Sequence, residues 1–292
     1  MHDADWLAGK FEGERRRLRA VAYRMLGSVA EADDAVQEAW LRLSRSDAAS
    51  IDNLNAWLTT VVARVSLNML QSRKSRREES LDGRMPDPVI TLVDPADAEQ
   101  QAILADSVGL ALMVVLESLA APERLAFVLH DMFDMPFEEI APIVNRTPAA
   151  ARQLASRARR RVRTAAVPDP DFAKQQRVAD AFLAAVRNGD FEGLLAVLDP
   201  DVVLHMDGGP LRPEATREVR GARAVAQGAV AYARLAPFAR QVVVNGTPGF
   251  IGRSPDGRIV SVMAMTIRDG KVVQLNALTD PARLAKLDLP PG

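Results

Sequence analysis

Cysteine is absent from this 292-residue sequence, which excludes disulfide bonds and thiolate zinc sites. Histidine is scarce as well, because the three histidines at positions 2, 130 and 205 are too few for a histidine-rich metal site. We therefore predict neither a metal nor a cofactor.

Long apolar runs are also lacking. No uninterrupted run reaches the roughly 20 residues that a membrane-spanning helix requires. The first ten residues, MHDADWLAGK, are acidic and contain no apolar segment of the kind found in a signal peptide. These absences predict a soluble, cytoplasmic protein without a membrane partner.

An excess of charge of one sign is missing too, with 37 Lys and Arg against 38 Asp and Glu. The chain is therefore no polycation, and only a grouping of its basic residues could indicate nucleic acid. The hydrophobic fraction of 48% is sufficient for packed cores, and the length predicts about two domains.

Basic residues gather in the stretch 137–163, FEEIAPIVNRTPAAARQLASRARRRVR. Asn145 suits the left-handed turn that ends a first short helix. Thr147 is a good N-cap and Pro148 is favoured at the first position of a second helix. Pro142 predicts a kink in the first helix. The pattern is typical of a helix-turn-helix, whose second helix enters the major groove of DNA.

The second helix, from 148 to about 162, is predicted to carry the DNA contacts. Arg152, Gln153 and Ser156 are placed to reach base edges, and the other positions suit phosphates. The whole predicted set is Arg146, Thr147, Ala150, Arg152, Gln153, Ser156, Arg157 and Arg160. The alternative is a basic helix that only solvates the surface of an ordinary helical domain.

Three further helices are predicted near the start of the chain, at 11–27, 30–45 and 56–78. The second contains DDAVQEAWLRL, whose polar residues point away from its apolar stripe. Such a face is usually only solvated, here with a Glu38–Arg42 pair. The third ends in basic residues, which suit either the helix dipole or a phosphate backbone.

These motifs resemble a known family. Residues 11–77 look like the first conserved domain of extracytoplasmic-function (ECF) sigma factors, and 106–165 resemble the second, whose helix-turn-helix reads the promoter −35 element. The resemblance implies core RNA polymerase and promoter DNA as partners. Residues 34–43 look like the helix that docks on the polymerase clamp, which implies contacts by Asp34, Gln37, Glu38 and Leu41.

Residues 56–70 look like the family's helix that opens and reads the −10 element. Capturing unstacked bases requires polar pockets and phosphate contacts. The loop that carries Ser50, Asn53 and Asn55 offers such polar groups, although loops are rich in these residues for turn reasons alone. The residues implied for −10 DNA are Asn53, Asn55, Arg64, Asn68, Arg73, Lys74 and Arg76.

A proline-bearing linker follows, and its RMPDPV (84–89) resembles a motif of the sigma-factor subgroup with a C-terminal SnoaL-like extension. After residue 167, helices are predicted at 175–188, 191–198 and 221–235. Strands are predicted at 202–206, 240–245, 248–253, 258–267 and 271–277, with Asp-Gly turns before the last two. Helices before a mostly antiparallel meander predict an α+β domain.

This order resembles the cone-shaped SnoaL-like fold over residues 172–287. DGG (207–209) and DPARL (280–284) look like variants of two motifs of the same subgroup. The resemblance implies a regulatory contact between linker and C-terminal domain. Its predicted residues are Met85, Pro86, Pro88, Asp207, Gly208, Gly209, Asp280, Pro281 and Leu284.

The predicted fold class is thus multidomain, with two all-α sigma domains followed by an α+β SnoaL-like domain. The predicted boundaries are 8–77 for the clamp-docking and −10 domain, 78–105 for the linker, 106–166 for the −35 domain and 172–287 for the regulatory domain. We predict a promoter-specificity subunit of RNA polymerase without catalytic activity, regulated by its own C-terminal domain.

Two other functions stay open. One is a ligand-responsive helix-turn-helix repressor, and the other is an enzyme fused to a DNA-binding region. A small molecule in the C-terminal cone is a further candidate partner. His205 and Asp207 share a face of a strand, so they form either a general-base pair or a strand-end hydrogen bond.

Overall fold

The computed structural model describes residues 2–46, 51–75, 85–91, 109–163, 166 and 168–287. The chain forms two compact units, one of residues 1–82 and 115–164 and the other of residues 83–114 and 165–292. The described part of the predicted linker, Met85–Thr91, therefore belongs to the same unit as the C-terminal domain.

Three helices open the first unit: α1 (His2–Leu26), α2 (Val29–Leu43) and α3 (Leu54–Ser75). Their apolar faces pack together around buried side chains that include Phe11, Leu18, Met25, Val36, Leu43, Leu58 and Val62. Gly27 adopts a φ of 67° between α1 and α2, a left-handed turn that glycine makes without strain. α1 begins at His2, whereas the predicted helix began at residue 11. The first turns were missed because residues 2–10 show no periodic apolar stripe.

The next helices are α4 (Leu110–Glu117), α5 (Ala121–Phe127), a π-helical turn (Val128–Met132), α6 (Phe137–Ile143) and α7 (Pro148–Val162). Arg124 of α5 is 3% exposed, and its Nη1 atom donates to Met25 O of α1 at 2.8 Å. The same guanidinium pairs with Glu117 at 2.9 Å. α5 is thereby tied to the end of α1 by a buried, hydrogen-bonded charge.

The second unit is an α+β domain with one seven-stranded sheet in the described residues. Its helices are α8 (Phe172–Asn188), α9 (Phe191–Val197), α10 (Ala222–Ala231) and α11 (Pro281–Leu284). Its strands are β1 (Ile90–Thr91), β2 (Leu198–Asp207), β3 (Arg217–Arg220), β4 (Arg240–Val244), β5 (Thr247–Arg253), β6 (Ile259–Arg268) and β7 (Lys271–Leu278).

The strand order is β1-β4-β5-β6-β7-β2-β3. Only the β2–β7 pair is parallel among the described strands; every other pair is antiparallel. One face of the sheet packs on α8, α9 and α10 through an apolar core that includes Phe182, Leu194, Val225, Phe250, Met265 and Leu275. Side chains on the other face include Val203, His205 and Asp207 of β2.

The predicted α+β domain is therefore confirmed, with shifts at its element ends. β2 begins at Leu198, four residues before the predicted start, and α10 ends at Ala231 instead of residue 235. β1 and β3 are too short to show a periodic pattern. Within the described residues, no helix combines the length and apolarity needed to cross a membrane.

Candidate functional site

The helix-turn-helix forms as the sequence predicts. Asn145 adopts a φ of 52° in the turn, and the Thr147 hydroxyl oxygen accepts a hydrogen bond from Ala150 N at 3.2 Å. α6 runs through Pro142 to Ile143 without interruption. Pro142 is the sixth residue of this seven-residue helix, so the only intrahelical bond it removes is the one to Glu138 O.

α7 buries three of its five alanines, Ala151, Ala155 and Ala158, and turns its polar side chains outward. The exposed residues are Arg146, Thr147, Arg152, Gln153, Ser156, Arg157 and Arg160, and Ala150 is half-buried. The polar side chains predicted for −35 DNA therefore lie on the solvent side of the helix-turn-helix. This is the arrangement that base and phosphate contacts require.

Acidic residues from neighbouring elements lie beside several of these arginines. The Arg152 guanidinium stacks 5.1 Å from the Phe137 ring centre and lies 3.9 Å from Glu138 Oε1. Arg157 Nε lies 3.7 Å from Glu123, and Arg159 pairs with Asp131 at 2.5 Å. The sequence of α7 contains no acid, so these pairings were visible only in three dimensions. These acids partly offset the positive charge of the exposed face.

The predicted polymerase-docking face lies on α2. Asp34, Gln37 and Leu41 are exposed, and Glu38 pairs with Arg42 at 2.8 Å. The opposite face of α2 is buried through Ala35, Val36, Ala39 and Leu43. A charged, solvent-facing stripe is thus available to a partner without disturbing the core.

The residues predicted for −10 DNA divide into two groups. Arg64 and Asn68 are exposed on successive turns of α3, and Asn55 is exposed at its start. Asn53 is exposed as well, and its Oδ1 atom caps α3 by accepting from Ala56 N at 3.1 Å. Of these four residues, Asn68 lines a cleft of about 430 Å³, together with Glu31, Arg42, Met69 and Arg73, among others.

The basic end of α3 behaves differently. Arg73 is largely buried, donates through Nε to Glu31 at 3.1 Å and through Nη1 to Leu26 O at 3.2 Å. These contacts fasten α3 to the α1–α2 turn and occupy the guanidinium. Ser50, Arg76 and the Lys74 side chain lie outside the described residues.

The predicted regulatory residues come together in the second unit. Met85 N donates to Asp207 Oδ2 at 2.8 Å, and the Met85 carbonyl accepts from Arg283 Nη2 at 2.6 Å. Arg283 also binds Asp207 Oδ2 and Asp87 Oδ1, both at 2.7 Å. Met85, Pro86 and Pro88 are buried. One arginine of α11 thereby joins the linker segment to the end of β2.

The glycine and DPARL motifs meet beside this arginine. Gly209 has a φ of 75°, and a Cβ atom at this position would lie 2.3 Å from the Asp280 carboxyl carbon. Asp280 is buried and caps α11 by accepting from Ala282 N at 2.9 Å. Leu284 is buried, whereas Pro281 is exposed as the first residue of the helix. Only glycine at 209 allows the two motifs to approach this closely.

The linker segment also extends the sheet. Ile90 and Thr91 pair with Val244 and Val243 of β4 as an antiparallel edge strand. Asn245 completes the pairing, since its backbone N–H donates to Val89 O at 2.8 Å and its Oδ1 accepts from Val89 N at 3.0 Å.

Sequence reasoning missed Asp87, Asn245 and Arg283, although two of them lie inside the motifs it had singled out. Asp87 stands between the two prolines, and Arg283 is the fourth residue of DPARL. Their opposite charges could have identified them, because RMPDPV contributes a carboxylate and DPARL contributes a guanidinium. Asn245 carried no signal beyond its place before a glycine turn.

The suggested His205–Asp207 pair does not form. His205 Nδ1 lies 3.2 Å from Glu218 Oε2 on β3, while Asp207 is bound to Met85 and Arg283. Burial lowers the pKa of His205 below its usual 6.5, an effect opposed by the Glu218 carboxylate. Across the described ranges, no group of three or more His, Asp or Glu side chains is arranged to hold a metal ion.

Comparisons with known proteins find two family matches in the helical regions and relatives that cover most of the chain. The family Sigma-70 region 2 matches residues 11–76, and Sigma-70, region 4 matches residues 109–162. The ECF RNA polymerase sigma factor SigJ of Mycobacterium tuberculosis is 41% identical, over 93% of this chain and 91% of that protein. The probable ECF sigma factor SigI of the same species is 34% identical over 98% of both chains.

The similarity extends to structure along the whole chain. The crystal structure of Mycobacterium tuberculosis extracytoplasmic function sigma factor SigJ covers 97% of this chain and 100% of its own, with a TM-score of 0.79 and 36% identity. The resemblance therefore includes the α+β domain as well as the two helical regions.

Proposed function

This chain belongs to the ECF RNA polymerase sigma factors, which direct transcription initiation, and we propose that its C-terminal domain regulates that activity by holding the segment Met85–Thr91. The observation that carries the proposal is Arg283, which binds Asp87 and the Met85 carbonyl on one side and Asp207 on the other. A contact of this kind couples the state of α11 to the linker.

The position of the held segment in the chain explains why the contact matters. Met85–Thr91 lies between the two sigma regions at 11–76 and 109–162. An unanchored connection from 76 to 109 has 33 peptide steps and a maximum reach of about 110 Å. Anchoring at 85 and 91 divides it into 9 and 18 steps, of about 30 Å and 60 Å. Holding the segment thus restricts where each promoter-reading region can go.

The promoter contacts follow from the exposed surfaces. We assign polymerase docking to Asp34, Gln37, Glu38 and Leu41, and −35 recognition to the exposed face of α7. For −10 DNA we assign Asn55, Arg64 and Asn68 as direct contacts and Asn53 as both cap and contact. Arg73 serves mainly to position α3, because its guanidinium is bound to Glu31 and Leu26.

Sigma factors are not enzymes, and the polymerase performs the chemistry. We place the protein in the cytoplasm, where core RNA polymerase acts. The separation of His205 from Asp207 removes the observation that had suggested catalysis in the C-terminal domain. A small-molecule ligand is not assigned to this domain, and the side chains between the sheet and α8–α10 form an apolar core. No observation favours a repressor.

The test is promoter output from core polymerase reconstituted with full-length chain or with Arg283→Ala. We expect the variant to change output by about fivefold or more, as expected for loss of a coupling contact. Arg258→Ala is the matched control, because that arginine pairs with Asp256 on an exposed hairpin. Equal output from wild type and Arg283→Ala, with both chains folded, would remove the regulatory proposal.

A further inference from the structure

We propose that the site holding Met85–Thr91 is a peptide-binding groove, and that it also accepts an extended, proline-containing acidic segment of a separate protein. The incoming segment would displace the chain's own. This inference deepens the proposed regulation by naming a partner class, and it rests on the same groove.

The groove recognises backbone, which any extended peptide can supply. Asn245 exchanges two hydrogen bonds with Val89 through its backbone N–H and its side-chain oxygen. Further along, Asp207 accepts from Met85 N and Arg283 donates to Met85 O. The pairing of β1 with β4 continues this as edge-strand addition. Strand addition with pockets for individual side chains is a recurring mode of peptide recognition.

Side chains then select the sequence of the peptide. Met85, Pro86 and Pro88 are buried, so the groove takes apolar and proline side chains at these places. Asp87 lies between the prolines, with its carboxylate 2.7 Å from Arg283 Nη2. The pattern read is apolar, proline, acid, proline, then residues that pair as a strand. Prolines restrict the free peptide to extended conformations, which reduces the entropy lost on binding.

The chain's own segment is a competitor that can be displaced. Its strand pairing with β4 comprises two residues, Ile90 and Thr91, and Val89 before them is 43% exposed. What favours it is tethering, which gives an effective concentration on the order of millimolar. An external segment that pairs with β4 over more residues, or places its carboxylate better against Arg283, overcomes the advantage of tethering. Because linkage is reciprocal, a partner that binds the groove must also release the linker.

The experiment uses the full chain and an acetylated, fluorescently labelled peptide of residues 85–91, MPDPVIT. The groove is vacated in cis by combining Pro86→Gly, Asp87→Ala, Pro88→Gly and Val89→Pro, which remove two buried side chains, the carboxylate bound by Arg283 and the N–H bound by Asn245. We expect saturable binding by this vacated variant in anisotropy titrations to about 1 mM, and at least about tenfold weaker binding by wild type, whose groove is occupied.

Two changes test the chemistry of recognition. Replacing aspartate by alanine in the peptide, or Arg283 by alanine in the vacated chain, should each weaken binding about tenfold or more. Adding Arg258→Ala to the vacated chain should leave binding unchanged, because Arg258 lies on an exposed hairpin and pairs with Asp256. Thermal melting of each variant establishes that it is folded.

Three results would overturn the inference. The first is no binding by a folded vacated chain at about 1 mM peptide. The second is equal binding by wild type and vacated chain, which would place the peptide elsewhere. The third is a concentration-dependent wild-type dimer lost with Asp87→Ala, which would make a second copy the occupant. If the peptide binds but Arg283→Ala leaves promoter output unchanged, the regulatory proposal fails and the peptide-binding inference stands.

Discussion

Arg283 and Asp207 form an almost fully buried ion pair, with Nη1 and Oδ2 2.7 Å apart and side-chain exposures of 11% and 3%. The same Asp207 oxygen also accepts from Met85 N, so one carboxylate serves both α11 and the linker. A buried charge left without its partner is strongly destabilising, whereas an exposed pair contributes little. The pair is therefore both a structural requirement of the C-terminal domain and the point where the linker is held.

Asp207→Ala should lower the free energy of unfolding of the full chain by about 3 kcal/mol, since it leaves the Arg283 charge with Asp87 alone. Chemical denaturation of the C-terminal domain measures this. Asp256→Ala, which removes an exposed pair with Arg258, should change stability far less. Equal effects of the two substitutions would contradict the assignment.

Removing residues 280–292 should raise promoter output, because it removes Arg283 and Asp280 while keeping the residues of every described strand. The cut follows Thr279, since Leu278 is fully buried in β7 and Thr279 N donates to Asp207 O at 2.7 Å. Removing residues 168–292 should instead lower output, as the subgroup resemblance implies support from the body of the domain. Reconstituted transcription measures both changes, and an increase of about fivefold is expected for the shorter deletion. Unchanged output from both deletions would show that the C-terminal domain does not regulate transcription.

Arg152→Ala and Gln153→Ala should alter −35 sequence preference, each by about 1–3 kcal/mol between matched and mismatched sites. Arg157→Ala and Arg160→Ala should weaken binding similarly on all sequences and reduce the salt slope by about 1. Competition binding with matched and scrambled −35 DNA at several salt concentrations separates the two classes. Equal losses on both sites for all four variants would refute base reading by α7.

Asp34→Lys combined with Glu38→Lys should abolish binding to core polymerase without unfolding the chain. Asp34 is exposed and Glu38 is 43% exposed, so neither change disturbs the core. Co-purification with core enzyme is the measurement, and Asp201→Lys, an exposed acid in the other unit, is the matched charge reversal. Retained binding by the double variant would move the docking face away from α2.

Acid should destabilise the C-terminal domain partly through His205. Because burial lowers its pKa below 6.5, the neutral ring stabilises the fold above pH 6.5. This contribution is lost as pH falls through 6.5 towards the folded-state pKa. Thermal melting between pH 7.5 and 5 should show a shallower decline for His205→Gln. Glu218→Gln should steepen the decline, since that carboxylate favours the protonated ring, and unchanged slopes in both variants would contradict this.

The sequence predicted those helices and strands whose local signals agree with the way they pack. The helix-turn-helix was predicted because Asn145, Thr147 and Pro148 each specify backbone geometry locally. The last four strands were predicted from alternation and Asp-Gly turns. β1 could not be predicted, since a strand of two residues shows no alternation, and neither could the pairing of Ile90 and Thr91 with β4.

The sequence predicted which motifs form the candidate site, but not the side-chain contacts that join them. Met85, the prolines, the glycine motif and Asp280 were identified by resemblance, and the structure brings them together. Arg283, which joins them, was not, because its partners Asp87 and Asp207 are 196 and 76 positions away in the chain. Arg73 shows the reverse case, a predicted DNA contact whose charge is used within the helical unit.

The parallel pairing of β2 with β7 sets an order of events during synthesis. β2 pairs first with β3, but its parallel partner β7 is complete only when residue 278 has left the ribosome, and Arg283 follows five residues later. Domains generally fold in the order in which they emerge, so both promoter-reading regions are complete before the groove that holds the linker exists. Under the proposed regulation, a newly made chain consequently passes through a stage in which Met85–Thr91 is not yet held.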